Sequence, residues 1–469
     1  MGIIILLALC LLMLWAAWRW AGGGRALALL IALAFVLRFG GGLALGRAYQ
    51  LWGYDKPVYH LGYLFPDAME RDIEAYQLAV SGQPLLFNPN LHLGSDQYGG
   101  LGLLSAAVYR LFSPDAHRPE LILLLAAAFF ALGVPFLRQA ARLRWGENVA
   151  RAAVWIYILY PDGIFFTASQ MREPFLIGLS ALALWGAVSW RQALRPALLA
   201  GLLGLGLMLP ISPPAAAFVA ISLALLVWID FSAGQSGGPW KLLGLAGIAC
   251  GALVLLVLTW GFLREAAAWD AKLAESASGM VAGVVEQLGP RLRLPFITFY
   301  GLAQPVLPAA IFEPSIPLMK TLILLRAAGW YALLPFLVYA PLVACRARPG
   351  LERARALWLT LLPWLWLLIS SVRAGGDMSD NPRYRVILLV LLSISAAWAW
   401  SQARARRDPW LARVLIIEGI FLLFFTQWYA ARYLLFLVKL PFLTMLALIA
   451  VSAAAVVGVG LAVDRRKSK

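Results

Sequence analysis

A short acidic segment inside a long loop contains the residues of this sequence best suited to chemistry. Residues 65–82 read FPDAMERDIEAYQLAVSG, and Pro66 followed by Asp67 predicts the start of a helix. Asp72 lies one helical turn before Tyr76. A carboxylate held beside a substrate hydroxyl can remove its proton as a general base. Asp72 is therefore the first candidate for a base and Asp67 the second, with a solvated acidic helix as the alternative interpretation.

The elements that must position this segment are membrane helices. Of the 469 residues, 62% are hydrophobic and only 13% charged, about half the charged share of a soluble domain. This composition excludes a soluble globular enzyme, a disordered regulator and a disulfide scaffold. Apolar runs of about 20 residues predict an all-α, polytopic bundle of about thirteen spans within a single integral membrane domain, residues 1–469. The predicted spans are 2–18, 26–46, 119–138, 149–160, 174–190, 196–210, 214–230, 242–262, 326–345, 354–371, 385–402, 411–430 and 440–463.

Charged residues divide the linkers between these spans into two sets. More than half of the 39 basic residues lie in alternate linkers, and loops rich in Lys and Arg mark the cytoplasmic side. Most of the 23 acidic residues lie in the other set. We therefore expect a multi-pass protein of the plasma (inner) membrane with its N-terminus external and its C-terminus cytoplasmic. The net charge of +16 is then a topology signal and predicts no nucleic-acid partner.

Two loops on the predicted external side are longer than simple connections. The first, residues 47–118, ends in an apolar stretch at 101–112. The second, residues 263–325, continues into Pro-rich and aromatic sequence that suits the membrane interface. We expect amphipathic helices from the first loop to form a small external helical layer, and the second loop to be external or interfacial.

Four short segments share their order and residue types with a known enzyme family. They are residues 72–82, 98–112, 160–174 and 381–385. Together they resemble the GT-C superfamily of integral membrane glycosyltransferases, of the dolichyl-phosphate-mannose or aminoarabinose-transferase type. One departure is Ile73, which stands where the family has a second acidic residue.

The resemblance implies inverting transfer of a hexose or pentose from a polyprenyl-phosphate carrier to an acceptor on the external (periplasmic) face, with Asp72 or Asp67 as base. The leaving phosphate requires cations, and Arg can bind phosphate oxygens in a fork. Tyr76, Asp162 and Glu173 would support the acceptor or the structure. The candidate phosphate ligands, with headgroup anchoring as the alternative, are Arg383, Arg385, Arg373, Arg172, Arg291 and Arg293.

Two other classes of membrane protein stay open at this point. A polysaccharide (O-antigen-type) polymerase or ligase would depend on arginines rather than on Asp72. A lipid-linked glycan transporter or flippase would place polar residues within its spans, where Arg38 and Glu418 are the clear charges.

The expected partners are a lipid-linked sugar donor and a glycan, lipid or protein acceptor. The spacing of His60, His92 and His117 matches no metal motif, so no metal site is predicted. The sequence requires no cofactor and leaves a divalent metal ion, the identity of the acceptor, the oligomeric state and the role of Glu418 open.

Overall fold

All the regular structure among the described residues is helical, which confirms the all-α class. Nine of the described helices are long and apolar enough to cross a membrane, or ten if one bent pair counts as a single span. The chain is therefore a polytopic membrane protein. The computed structural model describes residues 1–85, 98–233, 242–254, 288–374, 380–434 and 437–467, with the single positions 257, 260, 284 and 286.

The first of two compact units comprises residues 1–259 and 386–394. The centre of this unit is the pair α6 and α9, which approach so closely that a Cβ atom at Gly178 would overlap the carbonyl group of Phe129. Its helices are α1 (Gly2–Trp20), α2 (Arg25–Trp52), α3 (Pro57–His60), α4 (Pro66–Val80), α5 (Gly100–Phe112), α6 (Glu120–Trp145), α7 (Glu147–Leu159), α8 (Pro161–Thr167), α9 (Glu173–Ser189), α10 (Leu194–Ile211), α11 (Pro213–Ala233) and α12 (Leu242–Val254).

The second unit comprises residues 260–385 and 395–469, so that α17 and α18 each contribute residues to both units. An aromatic cluster that includes Phe425, Trp428 and Tyr429 forms part of its core. Its helices are α13 (Pro290–Ala303), α14 (Leu307–Phe312), α15 (Pro317–Cys345), α16 (Leu351–Ala374), α17 (Asp380–Val386), α18 (Leu389–Arg406), α19 (Pro409–Ala430) and α20 (Phe442–Lys467).

Nine of the thirteen predicted spans coincide with a long apolar helix. The span predicted at 149–160 is instead part of the bent pair α7 and α8, which turn by 52° at Tyr160. The span at 174–190 is α9, with 17 residues, and the one at 385–402 falls largely in α18, which ends in arginine-rich sequence. The span at 242–262 lies partly outside the described residues.

The bend between α7 and α8 is bridged by a buried arginine from α2. Because Pro161 has no N–H, the carbonyl of Tyr157 lacks its usual partner within the helix. Arg38 donates to that carbonyl at 3.3 Å and to the carbonyl of Ile158 at 2.7 Å. Its Nε also donates to the hydroxyl of Thr167 at 3.1 Å. These bonds satisfy backbone groups in the apolar interior, where an unsatisfied group costs several kcal/mol.

We expect Arg38→Met to lower the free energy of unfolding by about 2–5 kcal/mol, because it leaves buried carbonyls without donors. Denaturant unfolding in detergent micelles, followed by tryptophan fluorescence, measures this change. Arg25→Met at the exposed start of α2 is the control and should change stability by no more than about 0.5 kcal/mol. Equal stabilities of the two variants would contradict the bridging role of Arg38.

Candidate functional site

The candidate site of the first unit is built on α4. This helix begins at Pro66, as expected, because proline suits the first helical position. Its buried face carries Asp72, which is 2% exposed, together with the small residues Ala75 and Ala79. Both alanines share a hydrophobic cluster with Tyr109 of α5. Because these side chains are small, α5 packs closely against α4, and the Tyr109 hydroxyl reaches the Asp72 carboxylate.

Three polar side chains converge on the Asp72 carboxylate. The Tyr63 hydroxyl donates to Oδ2 and the Tyr109 hydroxyl to Oδ1, both at 2.6 Å. Nε2 of His117 lies 2.9 Å from Oδ2. A buried charge is costly unless it is hydrogen-bonded, and these three contacts supply the compensation. The carboxylate is thus held in one orientation and does not face bulk solvent.

The two tyrosines are permanent donors in this network. Burial, and next the neighbouring Asp72 carboxylate, raise the pKa of Tyr63 and of Tyr109 far above the ordinary value of 10.0. The carboxylate of Glu120 adds a smaller effect in the same direction. Both phenols therefore stay protonated and keep their hydrogen bonds to Asp72 across the neutral range.

His117 is the outermost member of the network. Its side chain is 26% exposed, against 2% for that of Asp72. The imidazole stacks on the ring of Tyr76, with centroids 4.8 Å apart and planes 22° apart, and meets Tyr109 edge-on. With Nε2 at the carboxylate, the second ring nitrogen points away from it. A carboxylate in this position fixes the tautomer and orientation of an imidazole that transfers protons.

Two arginines hold the helices that carry this network. Arg71, next to Asp72 on α4, donates to the backbone carbonyl of Gln170 at 2.9 Å. Arg110 on α5 donates to the carbonyls of Leu78 and Ala79 at 3.0 and 3.1 Å. These carbonyls belong to the last turn of α4, which has no further helical donors. Each arginine therefore ties α4 to a neighbouring element.

A polar cavity of about 260 Å³ adjoins the network. Tyr63 belongs to both, since it lines the cavity and binds Asp72. The other polar side chains of the lining are Arg47, Gln50, Glu120 and Gln170.

The structure brings only some of the predicted first-unit residues together. Tyr76 stacks on the ring of His117, and Asp72 contacts Nε2 of the same ring. Asp67 is half-buried in the first turn of α4.

The remaining predicted residues of the first unit have local partners. Asp162 is fully buried in the first turn of α8 and accepts a hydrogen bond from Tyr160 at 3.1 Å. Arg172 Nε lies 3.8 Å from a carboxylate oxygen of Glu173, which is also fully buried. The Arg172 guanidinium lies 5.6 Å from the ring of Tyr98. These contacts place the charged pair in the packed start of α9.

In the second unit, Arg385 is enclosed by its neighbours. It is 1% exposed, and it donates to the carbonyl of Gln304 at 2.9 Å. Its guanidinium lies 3.5 Å from the ring centroid of Trp330. This environment gives Arg385 a packing role within the unit.

The other four predicted arginines of the second unit are more accessible. Arg373 is half-buried with its guanidinium 4.7 Å from the ring of Tyr384, and Arg383 on α17 is half-buried as well. Arg291 is exposed and Arg293 half-buried near the start of α13.

An apolar pocket of about 330 Å³ also belongs to the second unit. It is lined almost entirely by carbon, with side chains from α13, α19 and α20. Its aromatic lining includes Phe296, Phe299, Phe421, Phe425 and Trp428.

Sequence reasoning missed the partners of Asp72. Tyr109 and His117 are 37 and 45 residues away along the chain. The one signal in the sequence is that His117 lies in the same loop as Asp72, and its spacing from the other histidines was informative only about metal binding. Among the described residues, no group of three or more His, Cys, Asp or Glu side chains suits a metal ion.

Comparisons with known proteins find similarity among solved structures, and that similarity is distant. No protein-family model matches the sequence, and no curated protein matches it significantly. Among solved structures, the chain is similar to the archaeal oligosaccharyltransferase AglB from Archaeoglobus fulgidus, in complex with an inhibitory peptide and a dolichol-phosphate. The TM-score is 0.39 and the identity 12%, over 92% of this chain and 54% of the other. The chain thus spans about half the length of that protein.

We expect the stability that the Tyr63 and Tyr109 hydrogen bonds contribute to be fully present below pH about 10 and to be lost as the pH rises further. The pKa of each phenol is raised in the folded state, so the folded protein keeps protons that the unfolded chain releases. Ultraviolet titration of phenolate in the wild type and in a Tyr63→Phe, Tyr109→Phe double variant tests this. The two titration curves should coincide as long as the proteins are folded. If the curve of the double variant lacked two phenolates before unfolding, the raised pKa values of Tyr63 and Tyr109 would be refuted.

Proposed function

We propose that this protein is an inverting glycosyltransferase of the GT-C type that moves a sugar from a polyprenyl-phosphate carrier to an acceptor hydroxyl on the external face of the membrane. The observation that carries the proposal is the pair formed by buried Asp72 and partly exposed His117, 2.9 Å apart. The four sequence segments that resemble the superfamily support it. So does the location of this pair in a long loop between apolar helices.

In the proposed mechanism two residues share the role of the base. Both oxygens of Asp72 accept hydrogen bonds and the side chain is buried, so it acts through His117 as a positioning residue. The acceptor O–H bond breaks and its proton passes to the outward ring nitrogen of His117. The acceptor oxygen then bonds to the anomeric carbon as the bond from that carbon to the phosphate oxygen breaks, and polyprenyl phosphate leaves as an anion. Asp72 stabilises the imidazolium that forms.

Two features of the second unit suit the lipid carrier. The apolar pocket between α13, α19 and α20 offers hydrocarbon and aromatic surface to an isoprenoid tail. Arg373 and Arg383 are half-buried, and guanidinium groups at helix ends bind phosphate oxygens well. We assign the phosphate to these two arginines and a packing role to Arg385.

One observation weighs against transport as the main activity. Of the two charges that the sequence places clearly inside spans, Arg38 is fully buried and its guanidinium bridges the bend between α7 and α8. Its donors are used by the protein itself, so it does not serve a passing substrate.

We expect Asp72→Asn and His117→Gln each to lower the rate of sugar transfer by about 100-fold or more, the range for loss of a general base. Mass spectrometry of cell-envelope glycans from cells that carry each variant as their sole copy measures the product. The chain offers a matched control in the exposed pair Asp55 and His60, which are 2.7 Å apart with Asp55 99% exposed.

Asp55→Asn and His60→Gln should leave the glycan profile unchanged. Wild-type product levels in a folded Asp72→Asn protein would refute the proposal.

We expect Arg383→Gln to raise the KM for the polyprenyl-phosphate sugar about tenfold with little change in thermal midpoint, because it removes a phosphate ligand. Arg385→Gln should instead lower the midpoint, because it removes a buried hydrogen bond and the contact with Trp330. Transfer assays and thermal unfolding of both purified variants separate the two roles. A lower midpoint with unchanged KM for Arg383→Gln would refute the assignment.

A further inference from the structure

The polar cavity of the first unit has the chemistry of a site for a neutral polyhydroxyl compound. Its lining combines the donor-only guanidinium of Arg47 with the acceptor-only carboxylate of Glu120, so the two formal charges cancel. Gln50 and Gln170 each present both a donor and an acceptor. Sugar hydroxyls also donate and accept, and match such a mixed lining. The lining has no surplus of positive charge to compensate the desolvation of a phosphate, and a lipid tail would leave the polar groups unsatisfied.

The size of the cavity fits a single ring. Its volume of about 260 Å³ is slightly below the lower limit of roughly 300 Å³ for sites that hold drug-sized ligands. One pyranose with its hydroxyl groups is a ligand of this size class. A disaccharide or a nucleotide would extend beyond it.

Hydrogen bonds within the protein hold the polar lining in place before a ligand arrives. Arg47 Nη1 donates to the side-chain oxygen of Gln50 at 2.9 Å, and the amide nitrogen of Gln50 donates to the carbonyl of His60 at 3.1 Å. Gln170 is 9% exposed, and its side-chain amide nitrogen donates to the carbonyl of Pro119 at 3.5 Å. Side chains ordered in this way lose less conformational entropy on binding.

Glycines on α2 bring the walls of the cavity together. A Cβ atom at Gly42 would lie 2.7 Å from the carbonyl oxygen of Ala168, and one at Gly46 would lie 2.7 Å from that of Gly62. Both glycines line the cavity. The backbone of two connecting segments therefore approaches α2 closely at the cavity.

Tyr63 connects the cavity to the network that holds the proposed base. Tyr63 lines the cavity and donates to Oδ2 of Asp72, and His117 Nε2 contacts the same oxygen. A ring in the cavity would therefore lie on the Tyr63 side of this network, and the reacting hydroxyl would belong to the part of the acceptor that extends from it toward His117. The donor sugar carries a phosphate, which suits this neutral site less well.

We propose that the polar cavity binds an uncharged pyranose ring of the acceptor, so that the acceptor is itself a glycan or glycolipid rather than a protein or a simple lipid alcohol. This inference rests on the proposed function, which leaves the acceptor open. It assigns acceptor binding to Arg47, Gln50, Glu120 and Gln170.

The test measures binding by the full-length protein in detergent micelles, without donor and without turnover. Saturation-transfer NMR with the methyl pyranosides of glucose, galactose and mannose should detect binding of at least one of them. Methyl phosphate and cyclohexanol, as an anion and an apolar ring, should show none. Gln50→Leu and Gln170→Leu should each weaken pyranoside binding about tenfold, since each removes hydrogen bonds to the ligand without much change in volume.

Two further variants keep the result interpretable. Gln77→Leu on the exposed side of α4 is the matched control and should bind as the wild type does. Leu43→Trp fills the cavity from a partly exposed lining position and should abolish binding even if a glutamine variant fails to fold. Absence of pyranoside binding, or equal binding by the wild type and Leu43→Trp, would overturn the inference.

The two proposals fail in different ways. Asp72→Asn should lose transfer and keep pyranoside binding, because it leaves the polar lining intact. Pyranoside binding without any transfer by the wild type would remove the proposed function but not the site. Transfer to an acceptor that contains no sugar would retain the function and overturn the assignment of the cavity.

Discussion

The first unit depends on the bend between α7 and α8 and on the Arg38 guanidinium that stabilises this bend. Without Arg38, the carbonyls exposed at the bend between α7 and α8 would have no donor inside an apolar interior. With it, α8 ends at Thr167 and is followed by the segment 168–172. That segment accepts the hydrogen bond of Arg71, the neighbour of Asp72 on α4. A bond made within the bundle thus contributes to the position of the candidate site.

Two aspartate–histidine pairs in the same loop differ in burial, and this difference sets Asp72 apart. Asp55 and His60 form a contact of nearly the same length in the same loop, yet Asp55 is almost fully exposed. There, water competes for both groups and the contact contributes little. Around Asp72, water is excluded and three polar side chains determine the orientation of the carboxylate. Only the second pair has the fixed geometry that proton transfer requires.

The two units differ in the surfaces that they offer to a substrate. The first combines a buried carboxylate network with a cavity lined by donors and acceptors. The second contains an almost purely apolar pocket and several arginines that range from buried to exposed. A polar acceptor suits the surfaces of the first unit, and an amphiphilic donor suits those of the second.

Local sequence is enough to predict that the protein is helical and crosses a membrane, because the length and composition of an apolar run are local properties. It also placed the start of α4 at Pro66 and selected Asp72 as a candidate. It did not reveal the roles of Tyr63, Tyr109 and His117, which depend on tertiary structure. Contacts between residues up to 45 positions apart depend on how helices pack, and one sequence carries no local signal for that.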